Sequence, residues 1–128
     1  MEEQNIQLEL RDIARCFDGR MVVDGLSLTL SAGQVTCLLG PSGCGKSTTL
    51  RVAAGVDRQD GGEVWVDGVM VSSDASHAPP EARGIGLMFQ DFALFPHLNV
   101  ARNVGFGLTG TRAQKRERVM DMLERVGL

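Results

Sequence analysis

The segment from Gly40 to Ser47, with the sequence GPSGCGKS, most constrains what this chain can fold into. The short apolar run QVTCLL precedes it, and Leu50, Ala53 and Ala54 follow it at helical spacing. The apolar run is too short for a helix and predicts a strand that is buried on both faces. A strand, a glycine-rich loop and a helix in this order are the context that the pattern G-x-x-x-x-G-K-[ST] requires. The segment therefore predicts a phosphate-binding loop.

The residue types of this loop follow from the chemistry of binding a phosphate chain. Glycines at 40, 43 and 45 let the backbone curl until successive N–H groups point inward at an anion. The helix that begins near Lys46 adds its positive end, and the lysine supplies a mobile charge for the β- and γ-phosphates. The hydroxyl of Ser47 is short enough to ligate Mg²⁺. A glycine-rich turn that matches by accident is the alternative, and the flanking strand and helix argue against it.

Alternating apolar and polar residues predict β-structure on both sides of the loop. Residues 6–10 and 26–30 each alternate with the period of a half-buried strand, and Asp18-Gly19 between them is typical of a turn. The segment EVWVDGVMV predicts a hairpin about Asp67-Gly68, because Asp-Gly is a strong hairpin signal. These segments together predict β-structure, including one hairpin, in the first part of the chain.

The next segment is predicted to be a loop and then a strand. Pro79 and Pro80 within SSDASHAPPEAR exclude regular structure there, because proline fixes φ and lacks the N–H that a helix or sheet needs. The run GIGLMF, residues 84–89, is short and apolar and predicts another buried strand. Gln90 then stands at the end of that strand, where parallel-sheet proteins place ligand contacts.

Capping signals predict three helices. The first runs from Lys46 to Ala54 and ends at Gly55, and Asn99 caps a short second one. Thr111 and Gln114 form a capping box for the third, and Gly127 is a plausible stop. The predicted apolar stripe of the third helix consists of Val119, Met122, Leu123 and Val126.

Composition excludes several classes of function. The chain has 128 residues, a net charge of −3 and 43% hydrophobic residues, which is typical of a globular protein. It lacks the run of roughly 18 apolar residues that crosses a membrane, and its acidic start lacks the basic end of a secretory signal. Without a Lys/Arg block, a nucleic-acid partner is not expected. Cys16, Cys37 and Cys44 fit neither a disulfide framework nor a zinc site, so the sequence predicts reduced thiols in the cytoplasm.

Two segments, GPSGCGKSTTLRVAAG and GLMFQDFALFPHLNVARNVGFGL, together resemble the ATP-binding subunit of ABC transporters, in particular importers of the maltose, ferric-iron and polyamine type. The resemblance runs from about Ile6 to the last residue, and Gln90 follows Lys46 by 44 residues. It implies an α/β fold, a P-loop NTPase of ABC type, with an N-terminal antiparallel β subdomain plus part of the parallel-sheet ATP-binding core. Residues 1–128 then correspond to the N-terminal portion of a nucleotide-binding domain, truncated before the signature motif.

The resemblance also implies roles for individual residues. Phe17 matches the aromatic residue that stacks on adenine, and Val22 an aliphatic contact to the same base. Lys46 and Gln90 match the catalytic positions, and Ser47 and Gln90 match the groups that reach Mg²⁺. The residues that match the ATP-phosphate cradle are Gly40, Pro41, Ser42, Gly43, Cys44, Gly45, Lys46, Ser47 and Thr48. From the residues alone, Phe17 could equally belong to the core, and Cys44 is expected to point away from the phosphates.

The implied partners are ATP, the transmembrane permease and a second nucleotide-binding subunit, which forms a homodimer. The loop from Asp91 to His97 matches the surface that receives the permease, although its apolar residues could also be buried within the domain itself. The implied activity is ATP hydrolysis that powers solute import, at the inner, cytoplasmic face of the cell membrane. His97 has no visible carboxylate or nucleophile partner and is not expected to be catalytic.

The family's LSGGQ motif, its strand that ends in Asp-Glu and its switch histidine do not occur in these 128 residues. No catalytic base can therefore be named, and residues 1–128 by themselves are expected to lack turnover. A non-transport ABC ATPase is an alternative, which the loop FALFPHL disfavours. A nucleotide-binding module without hydrolysis is a second one. A GTPase is disfavoured because no N-K-x-D stretch occurs.

Overall fold

A computed structural model describes residues 5–41, 43–91 and 93–128. The chain divides into two compact units, Met1–Met88 and Phe89–Leu128. The first unit holds a four-stranded sheet and one helix, whereas the second holds two helices. Each unit is described by itself below. Of the predicted site residues, Ser42 lies outside the described residues, as does Phe92 in the loop that follows Gln90.

The sheet of the first unit is antiparallel throughout, with the strand order β2-β1-β3-β4. Its strands are β1 (Ile6–Phe17), β2 (Arg20–Ser31), β3 (Gly61–Val66) and β4 (Val69–Ser72). The two-residue turns at Asp18-Gly19 and Asp67-Gly68 both have φ of 49° and then 76°. Two successive positive φ angles match the right-handed twist of the flanking strands, which is why Asp-Gly suits these turns. The predicted strand at residues 6–10, the one at 26–30 and the hairpin are confirmed.

Helix α1 (Lys46–Ala54) packs on one face of this sheet. It ends at Gly55, whose φ of 86° and N–H bond to Val52 fit a left-handed helix cap, as the sequence predicts. The core joins helix and sheet through six buried residues, which are Leu10, Ile13, Val23, Val52, Ala53 and Val64. This packing fixes α1, and with it the loop at its start, on the sheet.

Two predicted strands are wrong. Residues 34–39 (QVTCLL) and 84–89 (GIGLMF) have no strand structure, and the side chains of Val35, Leu39 and Met88 are more than 90% exposed. A buried strand needs a neighbouring strand on which to bond its N–H and C=O groups. Within the described residues, no ladder reaches either segment. Both segments are apolar enough for a strand, but within the described part of the chain neither has a neighbouring strand with which to pair.

The proline-containing loop is partly regular, which corrects the prediction that it has no regular structure. Pro80–Ala82 forms one turn of 3₁₀-helix, because proline is tolerated at the first position of a helix, where its missing N–H has no partner to lose. An isolated β-bridge joins Ser72 to His77, and the N–H of Ala78 donates to the carbonyl of Val71 at 2.7 Å. These bonds hold the loop against the end of β4.

The second unit contains α2 (Val100–Gly105) and α3 (Arg112–Arg125). Both predicted caps are confirmed: Asn99 accepts from the N–H of Arg102, and Thr111 and Gln114 form a reciprocal capping box. Of the predicted apolar stripe, Val119 is buried, whereas Val126 is 71% exposed. Val126 leaves the stripe because α3 ends at Arg125. Within the described residues, no helix is long and apolar enough to cross a membrane.

Candidate nucleotide-binding site

The loop before α1 has the backbone conformation that its glycines permit. Gly43 and Gly45 have φ angles of 81° and 94°, a region that residues with side chains rarely adopt. A Cβ on Gly45 would lie 2.7 Å from the carbonyl oxygen of Val22 and 3.0 Å from a methyl group of Val23. Glycine is therefore required at 45 both for its φ and for the close approach of the loop to β2.

Gly40 has a different reason to be glycine. It is not among the glycines with positive φ, but a Cβ there would lie 2.8 Å from the sulfur of Cys44. The N–H of Cys44 donates to the carbonyl of Pro41 at 3.3 Å, which closes a turn across the loop. The exposed thiol of Cys44 therefore lies against the start of the loop.

The start of α1 is uncapped and carries no negative charge. Helices α2 and α3 each bond an N–H group of their first turn to a capping side chain, but the residue at the N-cap of α1 is Gly45, and no side chain of the described residues caps this helix. Its first turn contains no acidic residue. The first N–H groups of a helix have no partner within it and carry a partial positive charge. This end of α1 is therefore suited to an anion.

Lys46 and its neighbours complete the cradle. The ammonium group of Lys46 donates to the carbonyl oxygen of Gly40, which places the cation over the loop itself. Ser47 is exposed on the first turn of α1, and Thr48 is half-buried. Thr49 is buried and donates its hydroxyl to the carbonyl of Gly45 at 2.8 Å, which anchors the helix start. Backbone donors, a cation and an accessible hydroxyl fit the phosphates of a nucleotide and an accompanying Mg²⁺ ion.

Phe17 ends β1 with its ring 41% exposed, so it is not part of the buried core. The guanidinium carbon of Arg15 lies 4.1 Å from the centroid of this ring. Val22 on β2 is half-buried and packs against the core, and its carbonyl is the one that Gly45 approaches. Phe17 and Val22 thus belong to the same pair of strands as the surface on which the phosphate loop rests.

Two carboxylates fix Arg15. Its guanidinium pairs with Asp57 at 3.0 Å and with Asp60 at 3.2 Å, and the bond to Asp57 raises the pKa of Arg15. The N–H of Cys16 donates to Asp60 at 2.6 Å. This bond, together with Arg15, lowers the pKa of the Asp60 carboxyl. The Asp60 carboxyl therefore keeps its charge at neutral pH, and the side chains of Asp57 and Asp60 together hold the guanidinium in place.

Arg83 holds the other end of α1. It is 4% exposed and donates to the carbonyls of Val52 and Ala53 at 3.1 and 3.3 Å, and to that of Ala78 at 2.9 Å. Burial lowers its pKa. Its other terminal nitrogen lies 3.1 Å from Nδ1 of His77. A cation that bonds the last carbonyls of a helix satisfies groups that otherwise lack partners and complements the dipole.

Gln90 and the loop after it belong to the second unit. Gln90 is exposed in a bend, and Leu94 is 67% exposed. Phe95 is 40% exposed and packs on Phe106 with ring centroids 4.4 Å apart. The side chain of Asn103 accepts from the N–H of Phe95 at 2.9 Å and donates to its carbonyl at 3.2 Å. Asn103 thus holds the main chain of Phe95 in place, while Leu94 is exposed to solvent.

Sequence reasoning missed three of these residues, namely Arg15, Arg83 and Asn103. Arg15 lies two residues before Phe17 on a strand, and residues at that spacing share a face of the sheet. The contact between Arg15 and Phe17 could therefore have been predicted from the sequence. Arg83 and Asn103 bond to main-chain carbonyl and N–H groups. Every residue has a main-chain carbonyl, so no sequence pattern indicates which ones these side chains contact.

Comparisons with known proteins place the chain in a family. A family model described as ABC transporter matches residues 23–128. The putrescine transport ATP-binding protein PotG of Escherichia coli is 44% identical over 121 residues, which cover 94% of this chain and 31% of that protein. The spermidine/putrescine import ATP-binding protein PotA of Nitrosomonas europaea is 47% identical, over 94% of this chain and 33% of its own length. The chain thus spans about a third of the length of these relatives.

Comparisons with solved structures indicate the same family. A dimeric ATP-binding cassette in a post-hydrolysis state, bound to ADP and Pi, superposes with a TM-score of 0.77 at 25% identity, over 94% of this chain and 57% of that one. The cbiO1 protein of Clostridium perfringens, part of an ABC transporter complex, has a TM-score of 0.74 over 98% of this chain and 52% of its own. The predicted α/β fold of ABC type is confirmed, and the chain belongs to the ABC transporter family.

Proposed function

We propose that this chain binds ATP with Mg²⁺ and that the protein to which it belongs hydrolyses ATP to power the import of a solute. The observation that carries the proposal is the start of α1, where no side chain among the described residues caps the helix, the first turn has no acidic residue, and Lys46 bonds back to the loop. The names of the similar proteins support the transport role, since both are ATP-binding proteins of transport or import.

In this proposal the loop residues bind and orient the phosphates. The N–H groups of the loop and of the first turn of α1 donate to phosphate oxygens, and Lys46 exchanges its bond to Gly40 for the β- and γ-phosphates. The exposed hydroxyl of Ser47 would hold Mg²⁺, which when bound would supply positive charge beside the phosphates. Gln90 orients the attacking water. Positioning and electrostatics carry most of the catalysis of phosphoryl transfer, so these residues account for binding and for part of the rate.

The base is proposed to stack on Phe17, with Val22 beside it. We predict that Phe17→Ala weakens ATP and GTP equally, by about 1–3 kcal/mol, the range for stacking between an aromatic residue and a base. The two bases behave alike because stacking uses the π-face and not the hydrogen-bonding edge. Equilibrium binding of both nucleotides to wild type and variant is the measurement. Strong selectivity for ATP over GTP in the wild type would contradict the stacking proposal.

The loop from Asp91 to His97 is proposed to contact the permease. Leu94 is exposed on a loop that Asn103 holds in shape, and an exposed apolar side chain on an ordered loop suits a protein partner. The protein would then act as a homodimer of nucleotide-binding subunits, at the cytoplasmic face of the cell membrane. Residues 1–128 are proposed as the N-terminal portion of that nucleotide-binding domain.

A second candidate is nucleotide binding without hydrolysis, because the phosphate loop, the start of α1 and Lys46 could hold a nucleotide by themselves. Parallel measurements of equilibrium ATP binding and phosphate release by the full protein distinguish the two candidates. Phosphate release that depends on Mg²⁺ supports the ATPase, whereas tight binding without release supports the second candidate. Absence of binding would contradict both.

A further inference from the structure

We propose that Arg15 is a positioning residue for nucleotide binding, which holds the ring of Phe17 so that one face is presented to the base. This inference rests on the proposed function and extends it to a residue outside the phosphate loop. The guanidinium carbon lies 4.1 Å from the ring centroid, which is within stacking distance. Because the guanidinium covers one face of the Phe17 ring, a planar base would stack on the opposite face.

The guanidinium is itself held rigidly. The Arg15 side chain is only 20% exposed and pairs with Asp57 at 21% exposure, as well as with the more exposed Asp60. Its Nη1 also donates to the carbonyl of Cys16 at 3.3 Å. An arginine with two carboxylate partners and a stacked ring has lost most of its rotamer freedom before any ligand arrives. Binding then does not have to order the ring.

The same carboxylates connect the base side of the site to its phosphate side. Asp57 and Asp60 follow α1 directly, and α1 begins at the phosphate loop. The N–H of Asp60 also donates to the carbonyl of Ala14 on β1 at 2.7 Å. Arg15 thus ties the end of β1, which carries Phe17, to the segment leaving the helix that carries Lys46. This tie adds to the core packing that fixes α1 on the sheet.

A second arginine on the same strand provides a matched control. Arg11 lies 4.3 Å over the ring of Trp65, so it has the same stacking chemistry. It is 45% exposed and pairs with Glu9 two residues away on the same strand. Because neither Arg11 nor Trp65 is among the site residues, Arg11→Gln should leave nucleotide binding unchanged.

The test is equilibrium binding of ATP and of inorganic tripolyphosphate to the full protein, with Mg²⁺, for wild type, Arg15→Gln and Arg11→Gln. Tripolyphosphate has the phosphates but no base. We expect Arg15→Gln to weaken ATP roughly two- to tenfold, the effect of releasing one ordered side chain, and to leave tripolyphosphate unchanged. In the Phe17→Ala background, Arg15→Gln should produce no further loss of ATP affinity.

Equal weakening of ATP and tripolyphosphate by Arg15→Gln would overturn the inference, because Arg15 would then support only the fold. Unchanged ATP affinity would overturn it as well. If Arg15→Gln fails to fold, Asp57→Asn removes one anchor and keeps the guanidinium, and the same selective loss of ATP is expected. A wild-type protein that binds neither ligand would instead refute the proposed function, so the two failures are distinguishable.

Discussion

Replacing Lys46 with alanine in the full protein is expected to reduce ATP hydrolysis by about a hundredfold or more, the loss typical of removing one preorganised charged or polar donor from a reacting site. Lys46 is the cation of the phosphate loop and lies over it, bonded to Gly40. Without it, the uncapped amides of α1 remain, but the charge that develops on the β- and γ-phosphates loses its counter-charge. Phosphate release under saturating ATP and Mg²⁺ is the measurement.

The control for this variant is Arg51→Ala. Arg51 is an exposed cation in the last turn of the same helix, so its loss changes the net charge equally without touching the loop. We expect this variant to retain hydrolysis within a factor of a few. Turnover in Lys46→Ala that matches that of Arg51→Ala would show that the loop is not the reacting site.

Replacing Arg83 with methionine is expected to cost about 2–4 kcal/mol of the free energy of unfolding. Methionine can fill much of the volume but cannot donate, so the carbonyls of Val52, Ala53 and Ala78 lose their bonds. Gly55 packs against the guanidinium so closely that a Cβ there would lie 2.5 Å from Nε. The end of α1 therefore packs closely against the side chain of Arg83. We expect the substitution to remove packing contacts there as well as hydrogen bonds.

Urea unfolding of the full protein measures this cost, with the m-value checked for constancy. Arg58→Met is the matched control, because Arg58 also donates to main-chain carbonyls, those of Ser73 and Asp74, but from an exposed position. We expect the control to cost less than about 1 kcal/mol. Equal costs for the two variants would mean that the buried position of Arg83 confers no special stability.

Local signals predicted the helices and hairpins well. The end of α1 at Gly55, the Asn99 cap of α2 and the capping box of α3 depend on groups within four residues of one another, so the sequence contains all their partners. The same holds for the turn at Asp67-Gly68. A phosphate loop can likewise be predicted from the sequence, because each requirement for curling and charge lies within Gly40 to Ser47.

The predictions that failed, and the contacts that were missed, depend on residues far away in the sequence. Residues 34–39 are apolar enough for a strand, but a strand exists only where another strand bonds to it. Arg83 meets carbonyls about 30 residues earlier in the chain, and Arg15 meets a carboxylate 45 residues later. These long-range contacts depend on how α1 packs on the sheet, and a local sequence pattern does not predict that packing.

The central claim is that this chain recognises a nucleotide chiefly through its phosphates, at the start of α1. It is tested most directly by displacing a fluorescently labelled ATP from the full protein with unlabelled ATP, tripolyphosphate or adenosine, each in the presence of Mg²⁺. We predict that ATP and tripolyphosphate both displace the labelled ATP, and that adenosine at the same concentrations does not. Displacement by adenosine without displacement by tripolyphosphate would contradict it, because the binding energy would then come from the base and not from the phosphate loop.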